Sequence, residues 1–333
     1  MTQQEPCHPQ LTVVMYHYVR PLAHSAYPGL KALKLRDFLG QLDWLARHYF
    51  MISPQDLAAA LHSGARLPPR PCLLTFDDGY SDHFQHVFPA LQARGLKGLF
   101  FAPSTSLLGG RVLEVNKIQF VLASRDQPCG LADQLDALLS REGLADPAAL
   151  RAAHCPPNRF DTANVAYVKP LLQYVLPAPA RSFAIDALFR QHVTADEAGF
   201  AQTLYLTPDQ AVEMRGGGIE FGGHGDLHLW HGQCAPADLQ GEITGSVRAL
   251  ERIGAPVRGG FYCYPFGDQT NAVRAAVNLA RFRTGFTVQA ALCDPSTVDP
   301  LQILRLRTPA LPCYPQGPSS PRREETKICE AVE

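Results

Sequence analysis

Short apolar runs alternate with helix-type segments over the first third of the chain. The runs at 11–17, 72–76 and 98–102 are rich in β-favouring residues and predict buried strands. Residues 35–48 carry apolar side chains at helical spacing, and 81–94 have the length and composition of a helix ended by a glycine. Strands and helices therefore alternate, which favours parallel strands joined by crossover helices.

The pattern changes over residues 106–215, where helix-type segments are separated by Pro-rich breaks. We predict that 106–215 form a helical insertion that covers part of the functional site. The strand–helix pattern then resumes, and the tail, 315–333, has the composition of a disordered segment. We therefore expect a single domain over 1–314. The later strand-type runs lie at 219–224, 260–264, 283–288 and 303–308, and the later helix-type segments at 236–253 and 271–280.

Composition excludes several classes of protein. The 333 residues are 46% apolar and 18% charged, which is typical of a globular chain rather than a disordered one. A formal net charge of -1 without blocks of like charge gives no indication of nucleic-acid binding. We find no signal-peptide pattern and no apolar run long enough to span a membrane. Nine cysteines without a Cys-x-x-Cys pair fit reduced thiols, so we expect a cytoplasmic protein; its oligomeric state stays unknown.

Two adjacent carboxylates, Asp77 and Asp78, follow the apolar run 72–76 and precede Gly79. An Asp-Gly turn is one explanation for them. The other is functional, because a carboxylate at the end of a buried strand needs a partner. In that case one acid holds a metal ion while its neighbour, ionised beside the cation, accepts a proton.

Two histidines, His224 and His228, follow the apolar run 219–221. Histidines four residues apart on one side of a helical turn can reach the same ion. We expect Gly222 and Gly223 to let the backbone turn out of the strand before them. Such a pair also arises by chance, and its position at a strand end is what suggests a site. The carboxyl ends of parallel barrel strands share one face, where active sites are built.

The run that ends in Tyr264, Pro265, Phe266 and Gly267 closes a further predicted strand. It is either plain turn chemistry or an aromatic pocket wall with a free backbone N–H. His17 ends the first predicted strand, so a parallel barrel would place it on the same face as the other candidates.

Together, residues 75–79, 224–228 and 264–267 resemble the polysaccharide deacetylase family, which carries the NodB-homology domain. These carbohydrate esterases remove acetyl groups from N-acetylated sugars. The resemblance covers about 11–104 and 219–308. It implies an α/β fold: a distorted (β/α) barrel of about seven strands, here with the helical insertion.

The resemblance also implies roles for single residues. Asp78, His224 and His228 would hold a divalent metal, and Asp77 would be the catalytic base. The backbone N–H of Phe266 would stabilise the oxyanion, and Tyr264, Pro265 and Phe266 would contact an N-acetylated carbohydrate substrate. Zinc is our first choice for the metal, while cobalt, nickel or iron also suits two histidines and one carboxylate.

The chain departs from the family pattern at three places. Gly225 stands where the family usually has Ser or Thr, and Cys263 stands where it often has an Arg that orients the base. Arg258 is near but out of register. The family's late Leu-x-His is missing, because no histidine follows His231. We therefore expect His17 to protonate the leaving amine, with a hydrogen-bonding or supporting role as the alternative.

Two other functions remain open from the sequence. One is a barrel that binds a glycan without turnover, which the missing Arg and late His favour. The other is an amidase or deformylase acting on a small lipid- or nucleotide-linked sugar, which the absence of a signal peptide favours. Retention of Asp77 speaks against pure binding, since a metal cradle needs no second acid.

Overall fold

The computed structural model describes residues 10–22, 25–124, 130–154 and 163–312. The strands in these ranges are β1 Thr12–Tyr16, β2 Val19–Arg20, β3 Leu33–Lys34, β4 Phe50–Met51, β5 Pro71–Phe76, β6 Leu99–Ala102, β7 Glu220–Gly223, β8 Phe261–Cys263, β9 Thr284–Phe286 and β10 Leu306–Arg307. The α-helices are α1 Leu35–His48, α2 Pro54–Ser63, α3 Phe88–Gln92, α4 Ser104–Leu108, α5 Glu114–Ala123, α6 Leu131–Arg141, α7 Pro147–His154, α8 Ala163–Pro170, α9 Ala178–His192, α10 Glu197–Leu204, α11 Pro208–Gly216, α12 Pro236–Arg252 and α13 Asn271–Leu279.

One curled sheet organises the fold. Its strands follow the order β10-β1-β5-β6-β7-β8-β9, and β4 pairs with β5 beside this path. Every pairing along the path is parallel. Seven parallel strands curled into a half-barrel and surrounded by helices confirm the predicted NodB-like (β/α) barrel. The carboxyl ends of β1, β5, β7 and β8 therefore point to one edge of the sheet.

Side chains on both faces of the sheet are buried, as expected for parallel strands. Val14 and Leu74 contribute to the larger apolar cluster, which includes buried residues of α1, whereas Val13 and Leu73 contribute to a second cluster. This period-two alternation follows from the strand geometry. The aligned register of β1 with β5 reaches Tyr16 and Phe76, whose rings stack with centroids 5.1 Å apart.

Two compact units make up the chain. The first contains the sheet, and the second consists of 22–31 together with 110–201. Within the second unit, α5 packs on α9, and the buried Lys117 ammonium pairs with Asp186 at 2.6 Å and Glu197 at 2.9 Å. A helical character for this segment agrees with the sequence pattern. The assignment of 1–314 as a single catalytic domain, and of 106–215 as a cover over the site, stay predictions.

Three further observations bear on the sequence expectations. No helix within the described residues is long and apolar enough to cross a membrane. The described cysteines, Cys72, Cys234, Cys263 and Cys293, all carry free thiols. The tail predicted to be disordered, 315–333, lies outside the described residues.

Candidate active site

The two carboxylates at the end of β5 are buried, with only 2% of Asp77 and 3% of Asp78 exposed. Asp78 and Gly79 have positive φ angles of 75° and 68°, so the chain does turn here, as the structural explanation of Asp-Gly requires. A plain surface turn would leave its carboxylates in water. Burial of both acids therefore calls for partners at each of them.

Asp78 faces both candidate histidine ligands, His224 and His228. Its Oδ1 lies 3.4 Å from His224 Nε2 and 3.5 Å from His228 Nε2. Its Oδ2 accepts a hydrogen bond of 2.5 Å from the Tyr80 hydroxyl. Oδ1 is buried and has no hydrogen-bond partner among the described residues. One carboxylate and two imidazoles with ligand atoms within 4.8 Å of one another fit a divalent cation.

The orientation of His224 also suits a metal ligand. Its Nδ1 lies 2.7 Å from the Cys263 carbonyl oxygen, and because a carbonyl can only accept, Nδ1 carries the proton. The other ring nitrogen, Nε2, is then free to bind an ion, as in metal sites where a carbonyl fixes the imidazole tautomer.

The prediction that a helical turn brings these histidines together is wrong. Residues 224–230 form an irregular loop in which Gly225 and His228 have positive φ angles of 78° and 60°. Gly222 and Gly223 stay within β7, so the chain leaves the strand after them. A Cβ on Gly222 would lie 2.6 Å from the Phe101 ring, so close packing requires this glycine. His224 and His228 are four residues apart, and an irregular loop rather than a helical turn brings their side chains together.

Arg305 is the functional residue that the sequence analysis missed. It is fully buried directly before β10, and its Nη1 and Nη2 each donate to one oxygen of Asp77 at 2.8 Å. Nε donates to the Thr287 carbonyl at 2.7 Å, and Nη2 lies 3.0 Å from Cys263 Sγ. The guanidinium thus reaches Asp77 past Cys263, the position where the family often has its arginine. Arg258, the residue noted near that motif, is exposed.

This bidentate contact decides the charge of Asp77. Burial raises the pKa of the Asp77 carboxyl, but the charge and hydrogen bonds of Arg305 outweigh burial and hold it below its usual range. Asp77 is therefore ionised at neutral pH. The signal in the sequence was a charged residue inside an apolar strand-type run, Ile303 to Leu306, where Arg305 shares a face with Ile303.

His17 lies at the same carboxyl edge of the sheet as Asp77, as the parallel barrel predicted. Its Nε2 is 3.9 Å from Asp77 Oδ2, and 43% of its side chain is exposed. The backbone carbonyl of His17 accepts a hydrogen bond of 3.0 Å from His83 Nε2. By contrast, His231 is buried between the Tyr262 hydroxyl and the Leu229 carbonyl, and it does not join the ligand group.

The segment 264–267 adds an aromatic wall beside His228. The Phe266 ring is 4.6 Å from the His228 ring and stacks on Trp230 at 4.2 Å and 6°. Phe266 has a positive φ of 58° and is half-buried. Tyr264 and Pro265 are buried, and the Tyr264 hydroxyl donates to the Leu301 carbonyl at 3.0 Å. Substrate contacts by Tyr264, Pro265 and Phe266 stay a prediction.

A parallel barrel with two carboxylates and two histidines at its carboxyl edge is the arrangement that the motif resemblance implied. The family model for polysaccharide deacetylases matches residues 160–285. YxkH of Bacillus subtilis (strain 168), described as a candidate polysaccharide deacetylase, is 28% identical over 99 residues. That match covers 29% of this chain and 33% of YxkH, so it spans about a third of the relative's length. The resemblance to polysaccharide deacetylases is confirmed.

Solved structures share the fold over almost the whole chain. The Streptococcus pyogenes deacetylase PplD, in complex with acetate, has a TM-score of 0.56 and 15% identity, and 97% of this chain aligns with 98% of that one. IcaB from Ammonifex degensii has a TM-score of 0.55 and 19% identity, with 98% of both chains covered. At these identities, the likeness establishes the fold alone.

Proposed function

We propose that the protein is a metal-dependent hydrolase that removes an acetyl group from an N-acetylated sugar. One observation carries this proposal: Oδ1 of Asp78 is buried, has no hydrogen-bond partner in the described part of the chain and faces two imidazoles, next to a second buried carboxylate that Arg305 keeps ionised. The resemblance to polysaccharide deacetylases supplies the substrate class. The sugar would be part of a glycan or of a lipid- or nucleotide-linked saccharide.

Asp78, His224 and His228 would hold the metal. When bound, a divalent cation polarises the acetamide carbonyl and makes water more acidic. Zinc remains the first choice, and cobalt, nickel or iron has the same ligand preference. The Tyr80 hydroxyl donates to Oδ2 of Asp78, which leaves Oδ1 as the oxygen directed at the two imidazoles.

The remaining residues would move the protons. Ionised Asp77 accepts the proton of the attacking water, and Arg305 fixes the direction of its two oxygens. His17, on the open side of Asp77, donates a proton to the leaving amine. The backbone N–H of Phe266 donates to the oxygen that becomes negatively charged, as the family resemblance implies.

The retained base distinguishes this proposal from a non-catalytic glycan-binding protein. A binding site has no need of a second buried acid, and Asp77 is held by a fully buried arginine through two hydrogen bonds. Arg305 also removes one argument for lost activity, because a guanidinium contacts the base although Cys263 replaces the family's arginine.

Metal content and acetate release test the proposal. The purified protein should bind about one divalent metal per chain, and chelation should abolish acetate release from N-acetylated sugars. His224→Ala should lose both the metal and turnover while the fold persists, since the ligand lies at the edge of the barrel. His62→Ala, an exposed histidine, is the matched control. Stoichiometric metal in His224→Ala would contradict the ligand assignment.

The same panel of substrates separates deacetylation from the small-conjugate alternative. Release of acetate from oligosaccharides supports a glycan deacetylase. Release only from monosaccharide conjugates, or release of formate, supports an amidase or deformylase that acts on a small sugar conjugate.

Substitution of His17 tests the assignment of the general acid. A general acid works only while protonated, so loss of activity at rising pH reports its deprotonation. His17→Ala should keep the metal, lose about 10²–10⁴-fold in rate and flatten the basic limb of the pH–rate profile. An unchanged basic limb would exclude His17 as the donor. His86→Ala, on the helical segment after β5, serves as the control.

A further inference from the structure

The loop that carries the two candidate histidine ligands has a backbone conformation that needs external support. His228 has a φ of 60°, a region that side-chain-bearing residues seldom adopt, and Gly225 has a φ of 78°. Such conformations persist only where the surrounding structure holds them. The loop is irregular between the end of β7 and Trp230, so it has no helical or strand hydrogen bonds of its own to provide that support.

A single buried carboxylate, Glu242 of α12, supports this loop. Glu242 is 2% exposed. Its Oε1 accepts from the backbone N–H of Leu227 at 2.8 Å, and its Oε2 accepts from Asp226 at 3.1 Å and Leu229 at 3.2 Å. These donors lie on both sides of His228 along the chain. The carboxylate therefore fixes the backbone immediately before and immediately after a candidate ligand.

The carbonyl groups of the same loop are held from other elements. The Gly225 carbonyl accepts from the Ser104 N–H at 3.0 Å and from the Ser246 hydroxyl at 3.1 Å. The Asp226 carbonyl accepts from the Thr105 N–H at 3.1 Å. The loop is thus clamped between α4 and α12, and Glu242 is the partner of its N–H groups.

The absence of a side chain at Gly225 leaves space for the Glu242 carboxylate. A Cβ added to Gly225 would lie 2.5 Å from Glu242 Oε2, closer than real Cβ contacts allow. A second neighbour, His231 Cε1, would lie at 3.2 Å. A serine or threonine here, as the family usually has, would displace the carboxylate from the loop. Gly225 therefore meets two requirements at once: a positive φ and space for the Glu242 carboxylate.

We propose that Glu242 is a positioning residue that sets the geometry of His228 for metal binding, with Gly225 providing the space that its carboxylate occupies. This inference rests on the proposed function, in which Asp78, His224 and His228 hold the metal. Among the described residues, Glu242 is not part of either candidate ligand group. Its effect is transmitted through three backbone N–H groups.

Glu242→Gln is the first test, because glutamine keeps the size but offers one acceptor oxygen and turns an NH₂ group towards an N–H donor. Loss of such support for a ligand should weaken metal affinity about 10–100-fold. We would titrate folded protein with Co²⁺ and Zn²⁺ and record the visible absorption of the cobalt form. Weaker binding together with an altered cobalt spectrum supports positioning. Glu251→Gln, an exposed glutamate on the same helix, should change neither.

Gly225→Ser provides a second test that does not require removal of the buried acid. Serine should weaken metal binding in the wild-type background. It should weaken metal binding less in a Glu242→Ala background, where the contact of its Cβ with Glu242 Oε2 is gone and the strain of the positive φ remains. An equal loss of metal affinity on Gly225→Ser in both backgrounds would overturn the positioning role. An unchanged metal affinity and cobalt spectrum in folded Glu242→Gln would overturn it as well. A wild-type protein that binds neither ion would instead overturn the proposed function, and this inference with it.

Discussion

Asp77→Asn should still bind metal and lose about 10²–10⁴-fold in rate, because it removes a general base without removing a ligand. The structure separates the two acids clearly. Both oxygens of Asp77 are bonded to Arg305, while Oδ1 of Asp78 faces the two imidazoles. Metal content by elemental analysis and single-turnover acetate release measure the two properties independently.

Asp78→Asn is the matched comparison, since it makes the same chemical change one residue further along. It should weaken metal binding itself, because a neutral amide is a poorer ligand than a carboxylate. If both variants lose metal equally, the division of roles between Asp77 and Asp78 is wrong.

Arg305→Met should lower the free energy of unfolding by about 3–5 kcal/mol, the usual cost of leaving one charge of a buried ion pair without its partner. Arg305 is fully buried, and Asp77 is 2% exposed, so water cannot replace the guanidinium. Thermal or urea unfolding measures the loss. Arg307→Met, an exposed arginine two residues later, is the control.

A compensating change tests whether the destabilisation comes from the ion pair. In Arg305→Met, the carboxylate of Asp77 is left buried and charged, so Asp77→Asn in the same background should recover part of the lost stability. Additive losses in the double variant would show that Arg305 stabilises the fold mainly through Thr287, Thr75 or packing.

The pH dependence of activity should change in a defined direction. A base must be ionised, so activity falls as pH drops through its pKa, and Arg305 holds the pKa of Asp77 below its usual range. Without the guanidinium, burial raises that pKa, and the acidic limb of kcat/KM at saturating metal should move to higher pH. Arg305→Lys keeps the charge and should shift the limb less than Arg305→Met.

Much of the fold was predictable because its signals are local. The helix at 35–48 has the bounds that its apolar spacing predicted. Each predicted barrel strand has a counterpart, although β10 is only two residues long. Short strands such as β2 and β3 were missed, because two residues are too few to show alternation.

The site was predictable only where motif and strand end coincide. Strand-end position and spacing singled out the Asp77–Asp78 pair and the two histidines, and the family resemblance assigned Asp78, His224 and His228 as ligands. These three do meet, although a loop rather than a helical turn brings the histidines together. Arg305 was not selected, because its partner is 228 residues away in the chain. Local pattern cannot reveal a contact that only sheet closure creates.

That distance has a consequence for how the site is assembled. The strand directly after Arg305 is β10, which pairs with β1 at Val14 and Met15, so strands from the beginning and the end of the chain lie side by side next to Asp77. During synthesis, the candidate ligands up to His228 emerge before residue 305, so the arginine that pairs with Asp77 is added after them. The ion pair that keeps Asp77 ionised can therefore form only after residue 305 has been added, later in synthesis than the candidate metal ligands. Under the proposed function, a nascent chain that stops short of residue 305 would carry all three candidate metal ligands but lack the guanidinium that pairs with Asp77.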